Sequence, residues 1–335
     1  MRDYFDENPT WGPNVFRRHF RMRKELFTRI VNALEANNTW FQQRPDATGK
    51  KGYECLRHFC RGVIEVFGAH YLRRPTVDDY QRLMKMHEQR HGFPGMLESL
   101  DCIHWTWKNC LVAWKCQFTN GDHGVPTIML EVVASQDLWI WHVFFGVAGS
   151  NNDINVLNQS PLFNVVLQGR APSIPFTVNG TQYAHGYYLT DGKYPEWTTF
   201  VKSFQHPQDP KRRKFKEMQE AARKDVERTF GVLQARWAMI RGPSRLWYKE
   251  NITDIMYACI ILHNMIIEDE GKMASQWVED EPSTSSNNIA GKINRGLVGG
   301  FNEYLKRGAR VRDKTIHHQL RSDLVEHVWA RFGDD

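Results

Sequence analysis

The sequence predicts an α/β protein in which a domain of mixed strands and helices lies between two helical segments. In residues 1–95 apolar side chains recur at helical spacing, as in FRRHFRMRKELFTRIVNAL. In residues 96–270 apolar runs rich in β-branched and aromatic residues alternate with helical patterns. Residues 271–300 are polar and predict a flexible linker, and helical spacing returns in 301–335, which predicts a helical C-terminal tail.

The composition is that of an ordinary globular protein. Of 335 residues, 41% are apolar and 24% are charged, and 19 Phe and 12 Trp indicate that most of the chain packs. No run approaches the roughly 20 apolar residues of a membrane span, and the first residues lack the apolar segment of a secretory signal. Six cysteines in so long a chain do not form a disulfide scaffold, so we expect reduced thiols in an intracellular protein.

The first 95 residues predict several basic helices. After FRRHFRMRKELFTRIVNAL come YECLRHFCRGVIEVFG and RRPTVDDYQRLMKMH, the last with Thr76 as N-cap and acidic residues in its first turn. Short basic helices are compatible with a helix-turn-helix unit that binds DNA. They are equally compatible with a helical bundle packed on the next domain, and the sequence does not choose between the two.

The middle domain predicts a sheet and a long helix. LESLDCIHWTWKN predicts one strand, and TIMLEVVASQDLWIWHVFFGVAGS predicts a hairpin that turns at residues 135–137. SNNDINVLNQSPLF begins with capping residues and predicts a short helix, whereas GYYLTDGKYP predicts a strand that ends in an Asp-Gly turn. From Pro210 an apolar stripe continues to Ile240 and predicts one long amphipathic helix, and NITDIMYACIILHNMIIED predicts a buried helix.

Charge is unevenly distributed along the chain. Residues 1–95 have 17 Lys and Arg against 11 Asp and Glu, and residues 201–250 have 13 against 6. Residues 96–200 have 4 against 8. An acidic middle between basic segments fits a metal site flanked by a phosphate-binding surface. Charge also varies along chains that bind no nucleic acid, so this pattern alone does not establish that the chain binds nucleic acid.

Three acids lie in apolar surroundings on three separate elements. Asp101 lies inside a predicted strand, Asp191 at the end of another, and Glu227 on the long helix. An ionised carboxylate is costly to bury unless it is paired or binds a cation. Magnesium binds through a few carboxylates together with substrate phosphate, and two such ions can clamp a phosphodiester during displacement.

The motifs that contain these acids resemble those of PIF/Harbinger DDE transposases. LDCIHW, YYLTDGKYP and DVERTFGVLQARW occur in the order of that family's three acidic blocks, and GVAGSNNDINVLNQSPLF and CIILHNMII are also similar to family segments. The resemblance covers residues 95 to 270, and the separation 227 − 191 = 36 is typical of DDE enzymes. It implies an RNase H-like core with Asp101 on the first strand, Asp191 after the fourth and Glu227 on a following helix.

The resemblance also implies an activity and partners. Asp101, Asp191 and Glu227 would be catalytic and would hold two Mg²⁺ or Mn²⁺ ions for cleavage of transposon ends and strand transfer into target DNA. In many relatives a Myb-like protein supplies DNA binding and nuclear import, so we expect such a partner and a nuclear location, with the chain cytoplasmic until it is imported. A homo-oligomer is also expected. The alternative is a domesticated descendant that binds chromatin or transcription partners and no longer cuts.

Each acid also has a purely structural explanation. An Asp at a strand end is commonly a turn or cap residue, and Glu227 could pair with Arg223 or Lys224 on the same helical face. Such exposed pairs contribute only about 0.3–0.5 kcal/mol, which a metal ion would outweigh. Asp153 is a candidate for a supporting position near the metal, although a helix N-terminus is enough to explain an Asp there.

A run of basic residues opens the long helix. Cations there oppose the helix dipole unless phosphate occupies the site, which favours a DNA-backbone contact over a solvated charge run. The predicted DNA-binding residues are Lys211, Arg212, Arg213, Lys214, Lys216, Arg223 and Lys224.

Other chemistries have little support in the sequence. A group of possible zinc ligands has spacing that matches no standard finger, and His104 within it is expected to pack against Trp107. That group is Cys102, His104, Cys110, Cys116 and His123. Neither a G-x-S-x-G motif nor a P-loop is present.

Overall fold

The structure, a computed structural model, describes residues 2–41, 52–121, 124–168, 172–275 and 301–333. These residues form two compact units. The first contains residues 2–41, 52–73 and 232–275, and the second contains 74–121, 124–168, 172–231 and 301–333. The second unit thus begins at residue 74, before the predicted domain boundary at residue 95. The predicted division into an N-terminal, a middle and a C-terminal segment stays a prediction. Most of the predicted linker, residues 276–300, lies outside the described residues.

Helices provide most of the secondary structure. They are α1 (Arg2–Phe5), α2 (Pro13–Phe20), α3 (Lys24–Asn37), α4 (Gly52–Tyr71), α5 (Val77–His91), α6 (Val112–Phe118), α7 (Asp153–Gln159), α8 (Asn164–Leu167), α9 (Pro210–Arg236), α10 (Ala238–Arg241), α11 (Lys249–Ser275), α12 (Phe301–Val311) and α13 (Lys314–Phe332). A short 3-10 turn, Thr39–Phe41, follows α3. In the described part of the chain, no helix is long and apolar enough to cross a membrane.

The strands belong to two sheets. They are β1 (Met96–Thr106), β2 (Thr127–Ala134), β3 (Ile140–Ala148), β4 (Phe176–Val178), β5 (Thr181–Tyr183), β6 (Tyr187–Thr190) and β7 (Phe200–Lys202). Five of them form one sheet in the order β3-β2-β1-β6-β7, and β4 pairs with β5 in a separate hairpin.

The first unit is a helical bundle built around α4 and α11. Helix α11 is buried over most of its middle, as its apolar sequence predicts, and it packs along α4. Helix α3 packs on α4 and buries Leu26, Ile30 and Leu34, which lie one turn apart on a single face. The predicted first helical stretch is two helices, because Arg21 adopts a left-handed conformation (φ 62°) that ends α2.

The second unit is built on the five-stranded mixed sheet. Strand β1 pairs antiparallel with β2, β2 pairs antiparallel with β3, and β6 and β7 run parallel to β1. Every residue of β2 is buried, as expected of a strand covered on both faces. The predicted hairpin is confirmed: β2 and β3 are joined around Ser135 and Asp137, whose side chains hydrogen-bond to each other.

Helices cover both faces of this sheet. Alternate residues of β6 point to opposite sides. Leu189 packs with Phe215 of α9 and Leu324 of α13, whereas Tyr188 packs with Leu157 of α7. Helix α5 begins with the predicted N-cap, where the Thr76 hydroxyl accepts a hydrogen bond from the Asp79 N–H and the Asp79 carboxylate accepts one from the Thr76 N–H.

Several short elements differ from the predictions. The long helix ends at Arg236, and residues 238–241 form a separate turn of helix, α10. Strands β4, β5 and β7 were not predicted, because three residues are too few to give a period-2 pattern. A local signal for the β4-β5 hairpin is nevertheless present: Asn179 and Gly180 occupy its turn with positive φ angles of 48° and 81°.

Candidate active site

The parallel pairing of β1 with β6 brings two of the predicted acids together. Ser99 of β1 lies opposite Leu189 of β6. When this register is continued by two residues, Asp101 falls beside Asp191, just past the carboxyl end of β6. The Asp191 carboxylate accepts a hydrogen bond of 2.6 Å from the Lys193 N–H, which fixes the turn that follows the strand.

Asp101 is largely buried and its carboxylate is only partly compensated. Its side chain is 17% exposed, accepts a 2.9 Å hydrogen bond from the Cys102 N–H, and lies 3.2 Å from Nη1 of Arg223. Burial raises the pKa of Asp101 to about 6, the Cys102 N–H and Arg223 lower it, and the charges of Asp191 and Asp153 raise it again. The pKa of Asp101 is therefore raised mainly by burial, which Arg223 and the Cys102 N–H offset only in part.

Asp153 is a third acid in the same place. It is the first residue of α7, whose N-cap is Asn152. Burial raises the pKa of Asp153, the positive charge of Lys193 lowers it, and the charges of Asp191 and Glu131 raise it. We call Asp101, Asp153 and Asp191 the acid cluster. The sequence suggested only a supporting position for Asp153, but its electrostatic coupling to both other acids makes it a member of the cluster.

Glu227 is connected to the cluster through Arg223. Nη2 of Arg223 lies 2.8 Å from the Glu227 carboxylate while Nη1 contacts Asp101. The pair that competed with the metal interpretation of Glu227 is therefore present, with Arg223 as the partner, and Lys224 is exposed. The carboxylate oxygens of Asp101, Asp191 and Glu227 do not all lie within 4.8 Å of one another. The role of all three as metal ligands stays a prediction.

A fourth acid lies deeper in the sheet. Glu131 of β2 is fully buried opposite Cys102 of β1. Its carboxylate accepts a hydrogen bond from the Ser160 hydroxyl and lies 3.1 Å from Nε2 of His142. Sequence reasoning did not single out Glu131, although an acid within the apolar run TIMLEVVA was the available signal. Its side-chain partners come from β3 and from the end of α7, and no sequence spacing indicates them.

Three of the basic residues that open α9 have protein partners. Lys211 lies 2.5 Å from the Glu326 carboxylate, Lys216 donates to the Gln205 carbonyl at 3.1 Å, and Arg212 lies over the ring of Phe204. The Asp209 carboxylate accepts a 3.1 Å hydrogen bond from the Arg212 N–H. Asp209 therefore puts a negative charge at the start of α9, where it partly offsets the repulsion between the basic residues and the helix dipole, and the DNA-binding role of those residues stays a prediction.

Two of the residues considered for zinc make other contacts. Nδ1 of His104 lies 2.8 Å from the Thr127 hydroxyl, and the Cys102 thiol lies 3.4 Å from the Tyr194 hydroxyl. Burial raises the pKa of the Cys102 thiol, so this thiol stays protonated at neutral pH. The fifth residue of that group, His123, lies outside the described residues.

A mixed five-stranded sheet with an acid cluster beside two parallel strands defines an α/β protein with a candidate site for a hard cation. Residues 69–274 match the family described as plant transposon protein, which is more than half of the chain, so the chain belongs to that family. It is a PIF/Harbinger-type, transposase-derived protein. A domain of unknown function matches residues 1–35.

The chain is similar to Protein ALP1-like of Arabidopsis thaliana, with 24% identity over 228 residues. This match covers 68% of the chain and 55% of the relative, so the chain spans about half of the length of that relative. No solved structure matches.

Proposed function

We propose that the chain is a divalent-metal-dependent DNA endonuclease and strand transferase of the Harbinger transposase type. The observation that carries this proposal is the register of β1 with β6: Ser99 lies opposite Leu189, two residues before Asp101 and Asp191, and the charge of Asp191 helps to raise the pKa of Asp101. A largely buried acid such as Asp101, kept close to a second acid, is costly to the fold unless it binds a ligand. A cation bound by phosphate as well would offset that cost.

The strand order supports an RNase H-like core within this proposal. Three strands, β1 to β3, form an antiparallel meander, and two further strands lie beside β1 and parallel to it. Asp101 then lies on the first strand of the sheet, Asp191 follows the fourth, and Glu227 lies on the next long helix. This is the arrangement that the resemblance implies for the three acids.

The donor set fits magnesium or manganese. All the acids in question offer carboxylate oxygens, the ligands that these hard cations prefer. When bound, two ions would activate a water molecule and stabilise the charge on the phosphate. Asp101, Asp191 and Glu227 would hold the two ions. Arg223 contacts both Asp101 and Glu227 in the structure, and the ions would take over its role as the positive charge between them, so Arg223 would release Asp101. Asp153 would add negative charge beside them.

The proposed partners follow from the same family and from the charge of α9. DNA, both transposon ends and target, is the proposed substrate, with Arg213 and Lys214 among the basic residues that contact its backbone. A Myb-like protein partner would supply sequence recognition and nuclear import, and a homo-oligomer would align two DNA ends. These proposals rest on the family resemblance and on the basic stretch at residues 201–250.

A second candidate function is that of a domesticated protein that binds DNA or chromatin partners without cutting. One observation favours it. Arg223 contacts both Asp101 and Glu227, so protein cations already compensate part of the acidic charge. A guanidinium held in this way can replace a metal ion as a structural element. In this candidate the acids would serve only to hold α9 against β1.

Cleavage of DNA distinguishes the two candidates. The purified chain is incubated with supercoiled plasmid and with terminal-repeat DNA in Mg²⁺, Mn²⁺ or EDTA, alone and with the partner protein. We expect nicking that requires metal and is abolished in Asp101→Asn, Asp191→Asn and Glu227→Gln while each variant keeps its circular dichroism spectrum. Asp6→Asn, the same change at an exposed acid, is the matched control and should cut normally. Binding of DNA without any cutting would favour the domesticated protein instead.

A further inference from the structure

A second set of possible metal ligands lies away from the acid cluster. Glu196 belongs to the loop between β6 and β7, and His317 and His318 belong to the first turns of α13. One carboxylate oxygen of Glu196 and one ring nitrogen of each histidine all lie within 4.8 Å of one another. His317 is fully buried, whereas His318 and Glu196 are partly exposed. None of these three residues belongs to the acid cluster.

The hydrogen bonding of His317 leaves one nitrogen for a ligand. Its Nδ1 lies 3.0 Å from the Trp197 carbonyl oxygen, which can only accept, so Nδ1 carries the proton and donates it. Nε2 of the neutral ring therefore carries a free lone pair, and this nitrogen is buried without a hydrogen-bond partner. A buried acceptor left unsatisfied costs about 1–3 kcal/mol. Histidines that bind metals show this same pattern, with the second nitrogen donating to a backbone carbonyl.

We propose that Glu196, His317 and His318 bind one zinc-class transition-metal ion. Two imidazole nitrogens and one carboxylate oxygen suit Zn²⁺, whereas Mg²⁺ prefers oxygen ligands alone. The partial exposure of His318 and Glu196 leaves room for water as a fourth ligand. Metal binding through Nε2 would give His317 the partner that this nitrogen lacks in the fold itself.

The surrounding positive charges reduce the affinity of this site. Nζ of Lys314 lies 3.8 Å from the Glu196 carboxylate and competes with a metal for it. The Lys314 side chain is 75% exposed, so it can move into solvent at little cost. Lys202 and Arg321 also act electrostatically on Glu196, and the Lys202 ammonium is held by the Tyr194 carbonyl at 2.9 Å. We therefore expect weaker binding than at a zinc-finger site.

A metal at this site would have a structural consequence. Glu196 lies in the same loop as Asp191, and His317 and His318 lie on the C-terminal helix α13. One ion would thus tie the loop that begins at Asp191 to α13. Because the ion binds the folded chain and joins two separate elements, it would raise the temperature of unfolding.

The test is zinc binding by the full chain. Zn²⁺ is titrated against the protein in excess Mg²⁺, which occupies sites made only of oxygen ligands, and Co²⁺ is used in parallel for its visible absorption bands. We expect one Zn²⁺ per chain, a higher thermal midpoint, and tetrahedral Co²⁺ bands. His318→Ala and Glu196→Gln should each weaken binding by at least about 10-fold, the size of effect typical when a metal site loses a supporting group.

Two controls make the outcome decisive. His206→Ala removes an exposed histidine outside the cluster and should bind Zn²⁺ like the unmodified chain. Asp191→Asn should also keep full Zn²⁺ affinity, which separates this site from the proposed active site. Absence of saturable Zn²⁺ binding, or an affinity unchanged in His318→Ala, would overturn the proposal and leave the cluster as a set of ion pairs.

Discussion

Two groups of acidic residues, one in each compact unit, have different surroundings. At the end of α11, in the first unit, Asp269 is held by Arg23 through two contacts, and Glu270 is held by Arg17 at 2.5 Å and Arg236 at 3.3 Å. In the second unit, the cationic neighbours of the acid cluster of Asp101, Asp153 and Asp191 include Arg223, Lys193 and Lys202, and of these Arg223 lies in salt-bridge range of Asp101.

The difference distinguishes acids that stabilise the fold through ion pairs from acids whose charge the protein compensates only in part and that a ligand could compensate further. Where arginines equal or outnumber carboxylates, charge-assisted hydrogen bonds satisfy the site and removing a partner should cost stability. In the acid cluster, burial and the charges of Asp191 and Asp153 raise the pKa of Asp101 to about 6. Removing the charge of Asp101 should therefore stabilise the fold. Neutralising an acid of the first kind should therefore lower the free energy of unfolding, and neutralising an acid of the second kind should raise it.

The largest expected effect is on cleavage by Asp153→Asn. If Asp153 supports the metal site, this variant should cut DNA about 100-fold more slowly than the unmodified chain, as when a supporting group of a metal site is lost. Glu270→Gln, the corresponding change in the first unit, should leave the rate unchanged. Initial rates of plasmid nicking in Mg²⁺ measure both. Equal rates for Asp153→Asn and the unmodified chain would remove Asp153 from the active site.

Loss of an arginine from the first unit should destabilise it. Arg23→Met keeps the apolar stem but leaves the Asp269 carboxylate, which is 17% exposed, without its guanidinium. We expect the free energy of unfolding to fall by about 2 kcal/mol, the usual cost of losing a hydrogen bond to a charged group. Urea denaturation measures it, and Arg18→Met at an exposed position is the control. A change no larger than in the control would show that these pairs contribute nothing.

Neutralising Asp101 should act in the opposite direction. Its pKa is about 6 in the fold against 3.8 in the unfolded chain, so its favourable contribution is present below pH 3.8 and is lost as pH rises through about 6. In EDTA at pH 7.5, Asp101→Asn should therefore unfold with a free energy higher by up to about 2–3 kcal/mol. The gain should vanish near pH 4. A variant less stable than the unmodified chain at pH 7.5 would show that Arg223 compensates Asp101 fully.

The smallest effect concerns the basic start of α9. Arg213 is exposed, whereas Lys211 is paired with Glu326. If Arg213 contacts a DNA phosphate, Arg213→Ala should reduce the slope of log affinity against log salt by about 0.9, and Lys211→Ala should reduce it less. Fluorescence anisotropy over a salt series measures both slopes. Identical slopes in Arg213→Ala and the unmodified chain would place the DNA on another surface.

The longer elements could be read from the sequence, because their patterns are local. The strands β1, β2, β3 and β6, the Thr76 cap, the hairpin at residues 135–137 and the start of α9 are confirmed. Helix α11 was grouped with the middle domain by its position in the chain, yet it packs with α4, since burial of an apolar helix depends on the surface that fits it. The break at Arg236 interrupts an apolar stripe that continues into α10, so periodicity could not reveal it.

The candidate site was only partly predictable for a different reason. The sequence shows that Asp101 and Asp191 lie in apolar strands, but the pairing of β1 with β6 joins residues about ninety positions apart and is set by the tertiary fold. The pair of Arg223 with Glu227 follows from helical spacing, whereas the contact of Arg223 with Asp101 has no local signal. Crowding of the three cluster acids likewise becomes visible only in the fold.

As one continuous helix, α9 fixes the spacing between the residues that it contributes to this site. Gln219 donates hydrogen bonds to the Thr190 carbonyl of β6 and the Val201 carbonyl of β7, and two turns later Glu227 lies beyond Arg223. One residue inserted between Gln219 and Glu227 would turn Glu227 by about 100° and move it about 1.5 Å along the axis. Residues inserted between His206 and Gln208, where the chain is exposed or half-buried, would mainly lengthen a loop. In evolution this chain can therefore vary in length before α9 far more freely than within it.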